Sequence, residues 1–291
     1  MIAPLAALIA LGLQGPPAVD SALVSTAWLR EHLHDANLVL LHIGTRPGYD
    51  SAHIPGAHFI ELREIAAPPG PGPLLELPTA ARMDSTLAAH GISSESRIVL
   101  YWGADWFTPT ARVYLTLTWA GLGERTSILN GGMSAWRAAG GPVSAELPVV
   151  RRGLPASRPR SDVVVTADYV AAHLRRPGVV IVDARDARFY TGDYPPDARN
   201  PRPGHVPGAF SIPYTSVVDE QGRVKDAATL RQLFVAAHAG PGDTVVTYCH
   251  IGQQASLVWL AARLAGYEAR LYDGSFTEWS TLTQYPVEQR P

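Results

Sequence analysis

Short runs of branched apolar residues alternate with amphipathic segments along this chain. Four of the runs have the length and composition of strands that are buried on both faces, at residues 37–43, 97–102, 179–183 and 244–249. The segments between them, such as 80–89 and 111–120, carry apolar residues at helical spacing. Strands that alternate with helices predict an α/β fold with mostly parallel sheets flanked by helices.

The order of these elements occurs twice. The block Ala-His-Ile-Pro-Gly-Ala at 52–57 returns as Gly-His-Val-Pro-Gly-Ala at 204–209. The segment at 129–136 returns at 271–279, and both end in tryptophan. Matched blocks in one order indicate two tandem copies of one domain.

The repeat predicts a first domain over residues 20–147, a linker over 148–161 and a second domain over 162–291. The linker is rich in proline, which cannot donate to a strand ladder, so it is expected to run extended. Its arginines are interpreted as part of a solvated connector rather than as a phosphate site.

Residues 2–13 are almost wholly apolar and carry no charge. The run is too short to span a bilayer and has the length of a secretory-signal core, so residues 1–19 are interpreted as a signal peptide of a periplasmic or secreted protein. No Lys or Arg precedes the run and no Ala-x-Ala site follows it. The alternative is a cytoplasmic protein with a disordered or docked extension. No other segment predicts a membrane span in the mature chain.

Composition removes several classes of function. The formal net charge of -2 and a charged fraction of 17% give no electrostatic footprint for binding nucleic acid. A single cysteine excludes an intramolecular disulfide, and the 10 histidines show no metal-site spacing. Neither GxGxxG nor GxxxxGK occurs, so no metal and no organic cofactor are predicted.

The one cysteine, Cys249, stands where a predicted strand ends and a predicted helix begins. The first amides of a helix lack intrahelical partners, and the helix dipole adds partial positive charge there. Gly252 allows the loop to curl so that several amides face one point. A thiol in such a place is expected to lose its proton easily and to act as a nucleophile. An inert buried cysteine is the alternative.

Several short motifs occur in combination: the duplicated domain, the His-Val-Pro-Gly-Ala block, Asp-Ala-Arg at 183–185, the strand–Cys–loop–helix unit and Asp-Gly-Ser-Phe-Thr-Glu-Trp at 273–279. Together they resemble the two-domain rhodanese-type sulfurtransferases, over about residues 20–288. The resemblance implies a catalytic second domain, an inactive first copy and an active site in the cleft between them. Trp102 stands in the place of Cys249, and His42 in the place of Asp183.

The resemblance also implies a mechanism and its residues. Cys249 would attack the outer sulfur of a small-molecule donor and carry it as a persulfide to cyanide, a thiol or a protein sulfur acceptor. Asp183 would orient a neighbouring arginine, and Arg188 is the candidate substrate-binding arginine. The loop residues expected to bind the sulfur and the substrate are His250, Ile251, Gly252, Gln253, Gln254 and Ala255.

The resemblance leaves the sulfur donor open between thiosulfate, which is favoured, and 3-mercaptopyruvate. Thiosulfate-type members place basic residues after the cysteine and mercaptopyruvate-type members place Gly-Ser-Gly there, whereas this chain has His250 and Ile251. His250 is expected either to bond the loop or to supply a positive charge that depends on pH near neutrality. Compared with the family, the loop around Arg188 is one residue short. Phe189 could therefore stand where the family has its substrate-binding arginine.

Two further classes of protein were weighed. A cysteine phosphatase needs an arginine six positions after its nucleophile, as Cys-x5-Arg, and Ala255 stands there. A non-catalytic rhodanese-like module for binding or sulfur relay is the alternative without turnover. The retained Cys249, loop glycine and Asp183 favour the enzyme. In the first domain, Trp102 or Trp106 is expected either to face the substrate or to pack in the core.

Overall fold

Two five-stranded sheets form the centre of the structure, a computed structural model that describes residues 22–70, 72–103, 107–155 and 157–290. The strands of the first sheet are Leu23–Val24 (β1), Leu38–Ile43 (β2), His58–Ile60 (β3), Arg97–Trp102 (β4) and Thr126–Leu129 (β5). Those of the second are Val164–Val165 (β6), Val179–Asp183 (β7), Phe210–Ser211 (β8), Thr244–Tyr248 (β9) and Glu268–Tyr272 (β10).

All strand pairs within the two sheets are parallel. The strand order β1-β5-β4-β2-β3 of the first sheet is repeated as β6-β10-β9-β7-β8 in the second. The predicted α/β fold with two tandem copies of one domain is therefore confirmed. In both copies the central strand leads into a loop: β4 ends at Trp102, and β9 ends just before Cys249.

Helices connect the strands and cover both sheets. Those of the described residues are Thr26–His32 (α1), Arg46–Ser51 (α2), Ala80–Ala89 (α3), Phe107–Trp119 (α4), Gly132–Ala138 (α5), Ala167–Ala172 (α6), Ala187–Thr191 (α7), Ala227–Ala236 (α8), Gln253–Leu264 (α9) and Ser275–Thr281 (α10). None of these helices is long and apolar enough to cross a bilayer.

Two short helices were not predicted from the sequence. The segment of α2 was interpreted as loop because it contains Pro47 and Gly48. The proline lies in the first turn, where it costs no intrahelical hydrogen bond, and the Thr45 side chain accepts a hydrogen bond from the Gly48 amide. Helix α7 is capped by Asp186 in a similar way. Caps rather than apolar periodicity therefore define these one-turn helices.

Helices α4 and α9 pack against each other and join the two halves of the molecule. The rings of Tyr114 on α4 and Trp259 on α9 have their centroids 6.1 Å apart. One cluster of buried apolar residues extends from Leu41 in the first sheet to Leu271 in the second. The beginning of α9 therefore lies at the seam between the halves.

The segment between the two halves is bound to the first of them. Residues 148–161 contain no helix or strand in the part that the structure describes. The Gly153 amide donates to the carbonyl of Ala88 at 2.9 Å, and the Arg158 amide donates to the carbonyl of Ala120 at 2.8 Å. The predicted signal peptide at 1–19 and the predicted contact of Trp106 lie outside the described residues and stay predictions.

The duplicated His-x-Pro-Gly-Ala block fixes the sheet edge in both halves. The Ile54 amide donates to the Tyr101 hydroxyl at 3.0 Å, and the Val206 amide donates to the Tyr248 hydroxyl at 3.1 Å. His53 and His205 are both buried, and each ring lies at 2.8 Å or 2.7 Å from a backbone carbonyl oxygen. The block is thus a structural repeat, with the same contacts in both halves.

The first half fills with tryptophan the space that holds the thiol in the second. Trp102 is buried and stacks on Phe107 at 4.2 Å between centroids, and a Cβ on Gly132 would lie 2.6 Å from the Trp102 ring. Gly132 and Ser275 each stand four residues before a tryptophan, and both have positive φ, 55° and 54°. The large ring therefore requires glycine, whereas the small Cys249 leaves room for a serine.

We predict that Gly132→Ala lowers the free energy of unfolding more than Gly140→Ala does, by about 1–3 kcal/mol. Both glycines have positive φ, so both changes impose the same backbone penalty, but a Cβ at Gly140 meets nothing within 4 Å. Urea unfolding followed by tryptophan fluorescence measures the difference. Equal losses for the two variants would contradict the packing of Trp102 against Gly132.

Candidate functional site

A four-residue loop, from Cys249 to Gly252, connects β9 to α9. Gly252 caps α9 with φ of 80°, a left-handed conformation that glycine adopts without strain. The carbonyls of Cys249 and His250 accept hydrogen bonds from the amides of Phe276 and Thr277 at 2.9 and 3.1 Å. Because these carbonyls are held towards α10, the amides of the loop are free to turn inward.

The Cys249 sulfur lies in a cup of main-chain donors. It accepts hydrogen bonds from four backbone amides, those of Ile251, Gly252, Gln254 and Ala255. Cys249 is only 1% exposed, and its own amide donates to the Ser275 hydroxyl oxygen at 3.3 Å. Several donors around one buried atom form an arrangement suited to a negative charge on sulfur.

The protonation of the Cys249 thiol is controlled by two opposing effects. Burial raises the pKa of the thiol, while the hydrogen bonds from the four amides lower it, and the balance is upward. The expectation of a thiol that loses its proton more easily than usual is therefore wrong. The helix terminus is visible in the sequence, but the burial of the thiol by the folded loop is not, and burial is the larger effect on the pKa.

A buried ion pair lies beside the cup. Asp183 at the end of β7 is fully buried and accepts hydrogen bonds from Arg185 Nε at 2.9 Å and Nη2 at 2.6 Å. The Arg185 guanidinium also lies 4.0 Å from the ring centroid of Phe276. Desolvation lowers the pKa of Arg185, but Asp183 and, more weakly, Cys249 raise it, and the net direction is upward. Asp183 thus holds a charged guanidinium near the sulfur.

His250 carries no charge at neutral pH. Burial and the nearby Arg185 lower its pKa to about 4. Its ring packs edge-to-face on Phe189, with centroids 4.5 Å apart, and no hydrogen-bond partner of Nδ1 occurs among the described residues. The expectation that His250 supplies a positive charge near neutrality is wrong, because burial disfavours the protonated ring.

Arg188 does not take the place expected of a substrate-binding arginine. Its side chain is 68% exposed and pairs with Asp186 at 3.2 Å, and its guanidinium lies over the ring of Tyr194. The neighbouring Phe189 contacts His250 instead. Asp186 caps the first turn of α7 and draws Arg188 back to itself, so the shortened loop presents the phenyl ring to the site.

The other loop residues connect the cup to its surroundings. Gln253 Nε2 donates to the Thr108 hydroxyl on α4 at 3.0 Å, which places the loop at the seam between the halves. The Ala255 carbonyl accepts from the Thr247 hydroxyl at 3.1 Å. Gln254 Oε1 is buried, with no partner among the described residues. Ile251 and Gly252 enter the site through their amides.

Three polar residues near the loop were missed by the sequence analysis. Ser275 binds the Cys249 amide, and Arg112 on α4 forms an ion pair with Asp273 at 2.7 Å across the seam. The signal for Arg112 was present, because it is a charged residue within the otherwise uncharged α4. The described residues contain no group of three His, Cys, Asp or Glu side chains that could hold a metal ion.

The fold and the loop define a class of protein: a duplicated α/β protein with one thiol held by main-chain amides at a helix start. The chain belongs to the rhodanese family, because the family model described as Rhodanese-like domain matches it twice, at residues 25–139 and 166–282. The two matched segments are the two halves described above.

Related proteins carry sulfurtransferase names. A "Probable 3-mercaptopyruvate sulfurtransferase" of Pseudomonas aeruginosa is 35% identical over 82% of this chain and 85% of the relative. A "Putative thiosulfate sulfurtransferase" of Haloferax volcanii is 31% identical, over 92% of this chain and 96% of the relative. The "Sulfur carrier protein TtuD" of Thermus thermophilus is 31% identical over 91% and 95%.

Solved structures agree with the fold. The wild-type structure of EanB superposes with a TM-score of 0.82 over 93% of this chain and 69% of that one, at 22% identity. The crystal structure of YnjE gives 0.82 at 23% identity, over 93% and 68%. The chain is a sulfurtransferase, and the names of its relatives differ in the sulfur donor.

The raised pKa of Cys249 gives a pH prediction. Alkylation of Cys249 by iodoacetamide should accelerate as pH rises through and beyond the usual range of a cysteine, because the anion forms late. His250→Gln should leave the shape of this profile unchanged between about pH 5.5 and 8, since a ring with a pKa of about 4 is neutral throughout. Intact mass measures the rate, with Cys249→Ser as the unreactive control.

An inflection near pH 6.5 in the native protein that disappears in His250→Gln would contradict the neutral state of His250. Such an inflection would mean that the His250 ring gains a positive charge near neutral pH.

Proposed function

We propose that Cys249 carries a sulfane sulfur from thiosulfate to a thiophilic acceptor such as cyanide or a thiol. The observation that supports this most is the set of four amide hydrogen bonds on the Cys249 sulfur. Neutral fixed donors favour the anionic sulfur that reacts, and they favour the anionic outer sulfur of a persulfide in the same way. They need no proton transfer of their own.

The Cys249 thiol first loses its proton to solvent, and the resulting thiolate attacks the outer sulfur of thiosulfate. A sulfur–sulfur bond forms to Cys249, the sulfur–sulfur bond of thiosulfate breaks, and sulfite leaves with the electron pair. In the second step the cyanide carbon attacks the outer sulfur of the persulfide. Thiocyanate leaves, the electron pair returns to Cys249 as thiolate, and the enzyme is restored without any oxidant or reductant.

The residues around Cys249 have supporting roles in this proposal. Arg185, fixed by Asp183, supplies a permanent positive charge for the anionic donor and for the persulfide. Ser275 holds the Cys249 amide and thereby the start of the loop. The side chains of His250 and Ile251 add no charge, so donor recognition rests on amides and on buried guanidinium groups.

The first half acts in the proposal as a wall of the site and not as a second catalyst. The chain has 1 cysteine, and Trp102 stands in its place in the first half. In the first half, the Trp102–Phe107 stack takes the place that Cys249 has in the second half.

Two alternatives have specific support. The Pseudomonas relative is named for 3-mercaptopyruvate, and the uncharged loop would accept that donor too, with pyruvate leaving as its enolate. The name of the Thermus relative, a sulfur carrier, supports relay to a protein acceptor. Such an acceptor must bring a thiol to a sulfur that is 1% exposed, which requires a narrow reactive tip or an opening of the seam.

Intact mass spectrometry tests the donor. Incubation with thiosulfate should add one sulfur, about 32 Da, and cyanide should remove it as thiocyanate. 3-Mercaptopyruvate under the same conditions should load more slowly. Cys249→Ser should gain no mass, whereas Gly140→Ala, which lies in an open turn away from the cup, should load like the native protein.

Each outcome has a distinct meaning. Faster loading by 3-mercaptopyruvate would replace thiosulfate as the donor while leaving Cys249 in place. A persulfide that forms but resists cyanide and passes only to a protein thiol would favour the relay. The proposal would be overturned if Cys249→Ser gained sulfur, or if neither donor added sulfur to the native protein.

A further inference from the structure

A buried arginine of the first half lies directly behind the Cys249 loop. The Arg112 side chain on α4 has no exposed surface, and its Nη2 donates to Asp273 Oδ1 at 2.7 Å and to the Leu75 carbonyl. Its Nε and Nη1 are buried and have no hydrogen-bond partner among the described residues. Burying a charge is costly, and an apolar side chain would pack here at least as well. Packing alone therefore does not explain an arginine at this place.

The unpartnered end of Arg112 faces the cup. A Cβ on Gly252 would lie 2.7 Å from Arg112 Nη1 and 3.4 Å from Leu271 Cδ2. The Gly252 amide is one of the four that hold the Cys249 sulfur. Arg112 Nη1 thus packs against Gly252 of the loop, and it leaves position 252 room for glycine alone.

The duplication supplies an internal comparison for this arginine. Arg112 on α4 and Leu257 on α9 each stand nine residues before the left-handed glycine that ends the helix, Gly121 or Gly266. Leu257 lines a cavity of about 650 Å³ at the loop of the first half that lacks a cysteine. The helix residue that faces the loop from the opposite half is therefore arginine at the cysteine loop and leucine at the other.

The partner of Arg112 differs between the halves in the same way. Asp273 and Asn130 each stand six residues before a tryptophan. Asp273 Oδ2 accepts from the Leu77 amide at 2.9 Å, and Asn130 Oδ1 accepts from the Val224 amide at 3.1 Å. Both residues make the same contact across the seam, and only the one beside Cys249 carries a charge. The ion pair Arg112–Asp273 thus stands where the inactive half has two uncharged residues, Leu257 and Asn130.

We propose that Arg112 is a positioning residue for the Cys249 loop, held by Asp273. It fixes Gly252 in its left-handed conformation and adds positive charge behind the amides that face the sulfur. This inference rests on the proposed role of Cys249. It gives the first half a direct part in the reaction, because the guanidinium comes from α4.

The charges around Arg112 agree with such a role. Asp273 lies after β10, Glu278 on α10 and Glu76 in the loop before α3. Burial raises the pKa of Glu76, and Asp273 and Glu278 raise it further, while Arg112 lowers it. Arg185 faces the sulfur from the β7 side. Asp273 fixes Arg112 on one edge, and the free edge of the guanidinium remains turned to the loop.

The double variant Arg112→Leu/Asp273→Asn tests the proposal by giving the cysteine half the two uncharged residues of the other half. It should fold with a similar Tm, because two uncharged residues replace a buried ion pair. Sulfur loading from thiosulfate should fall by at least about tenfold, and the pH profile of Cys249 alkylation should move to higher pH by about one unit. Leu257→Met, the matched packing change on the opposite helix, should leave both unchanged.

Two single variants separate charge from shape. Arg112→Lys keeps the charge, so the alkylation profile should stay near that of the native protein, whereas Arg112→Met should shift it like the double variant. These variants decide the question even if the double variant does not fold. An unchanged profile in both Arg112→Met and the double variant would overturn the proposal and leave a structural ion pair.

The two proposals fail in different ways. Alkylation reports on the thiol without any sulfur donor, so it tests Arg112 independently of thiosulfate. If iodoacetamide alkylates Cys249 of the native protein but no donor adds sulfur, the proposed function fails. The alkylation profiles of the Arg112 variants still test the role of Arg112. If the native protein loads and Arg112→Met loads equally fast with the same pH profile, only the inference fails.

Discussion

The hydrogen bonds from four backbone amides to the Cys249 sulfur constrain the loop, the helix that follows it and the packing between the halves. Amides can converge on one atom only if the chain turns sharply, which the left-handed Gly252 permits, and if the loop carbonyls are bound elsewhere, which α10 provides. The helix behind the loop must be rigid, and α9 is buried against α4 along most of its length. A second domain is thus part of how the cup keeps its shape.

The architecture was predictable from the sequence because both copies show the same order of motifs and apolar strands. The strands at 97–102 and 179–183 have the predicted bounds, and the strand before Cys249 ends one residue early. Electrostatics at the site was not predictable from local sequence. The neutral state of His250 and the raised pKa of the thiol come from burial, which depends on residues far along the chain. Arg188 was misplaced because its exposed side chain pairs with Asp186 instead of turning towards the loop.

The two halves differ through exchanges that occur in pairs. Trp102 is accompanied by Gly132, and Cys249 by Ser275, because each pair must share one volume. A change in one member alone would leave either a clash or a void. Duplicated domains therefore diverge by sets of touching residues, and a comparison of the halves of one chain identifies those sets without any relative. Here it separates the residues that maintain the common fold from those that serve the thiol.

The segment that links the halves has a mechanical consequence. Residues 153 to 160 are bound to the first half through main-chain hydrogen bonds at Gly153, Arg158 and Arg160. A Cβ on Gly153 would lie 2.1 Å from the Ile92 carbonyl oxygen, so the linking segment packs directly on the first half. The free tether between the halves is consequently only a few residues long. We therefore expect any opening between the halves to turn about the few residues just before β6.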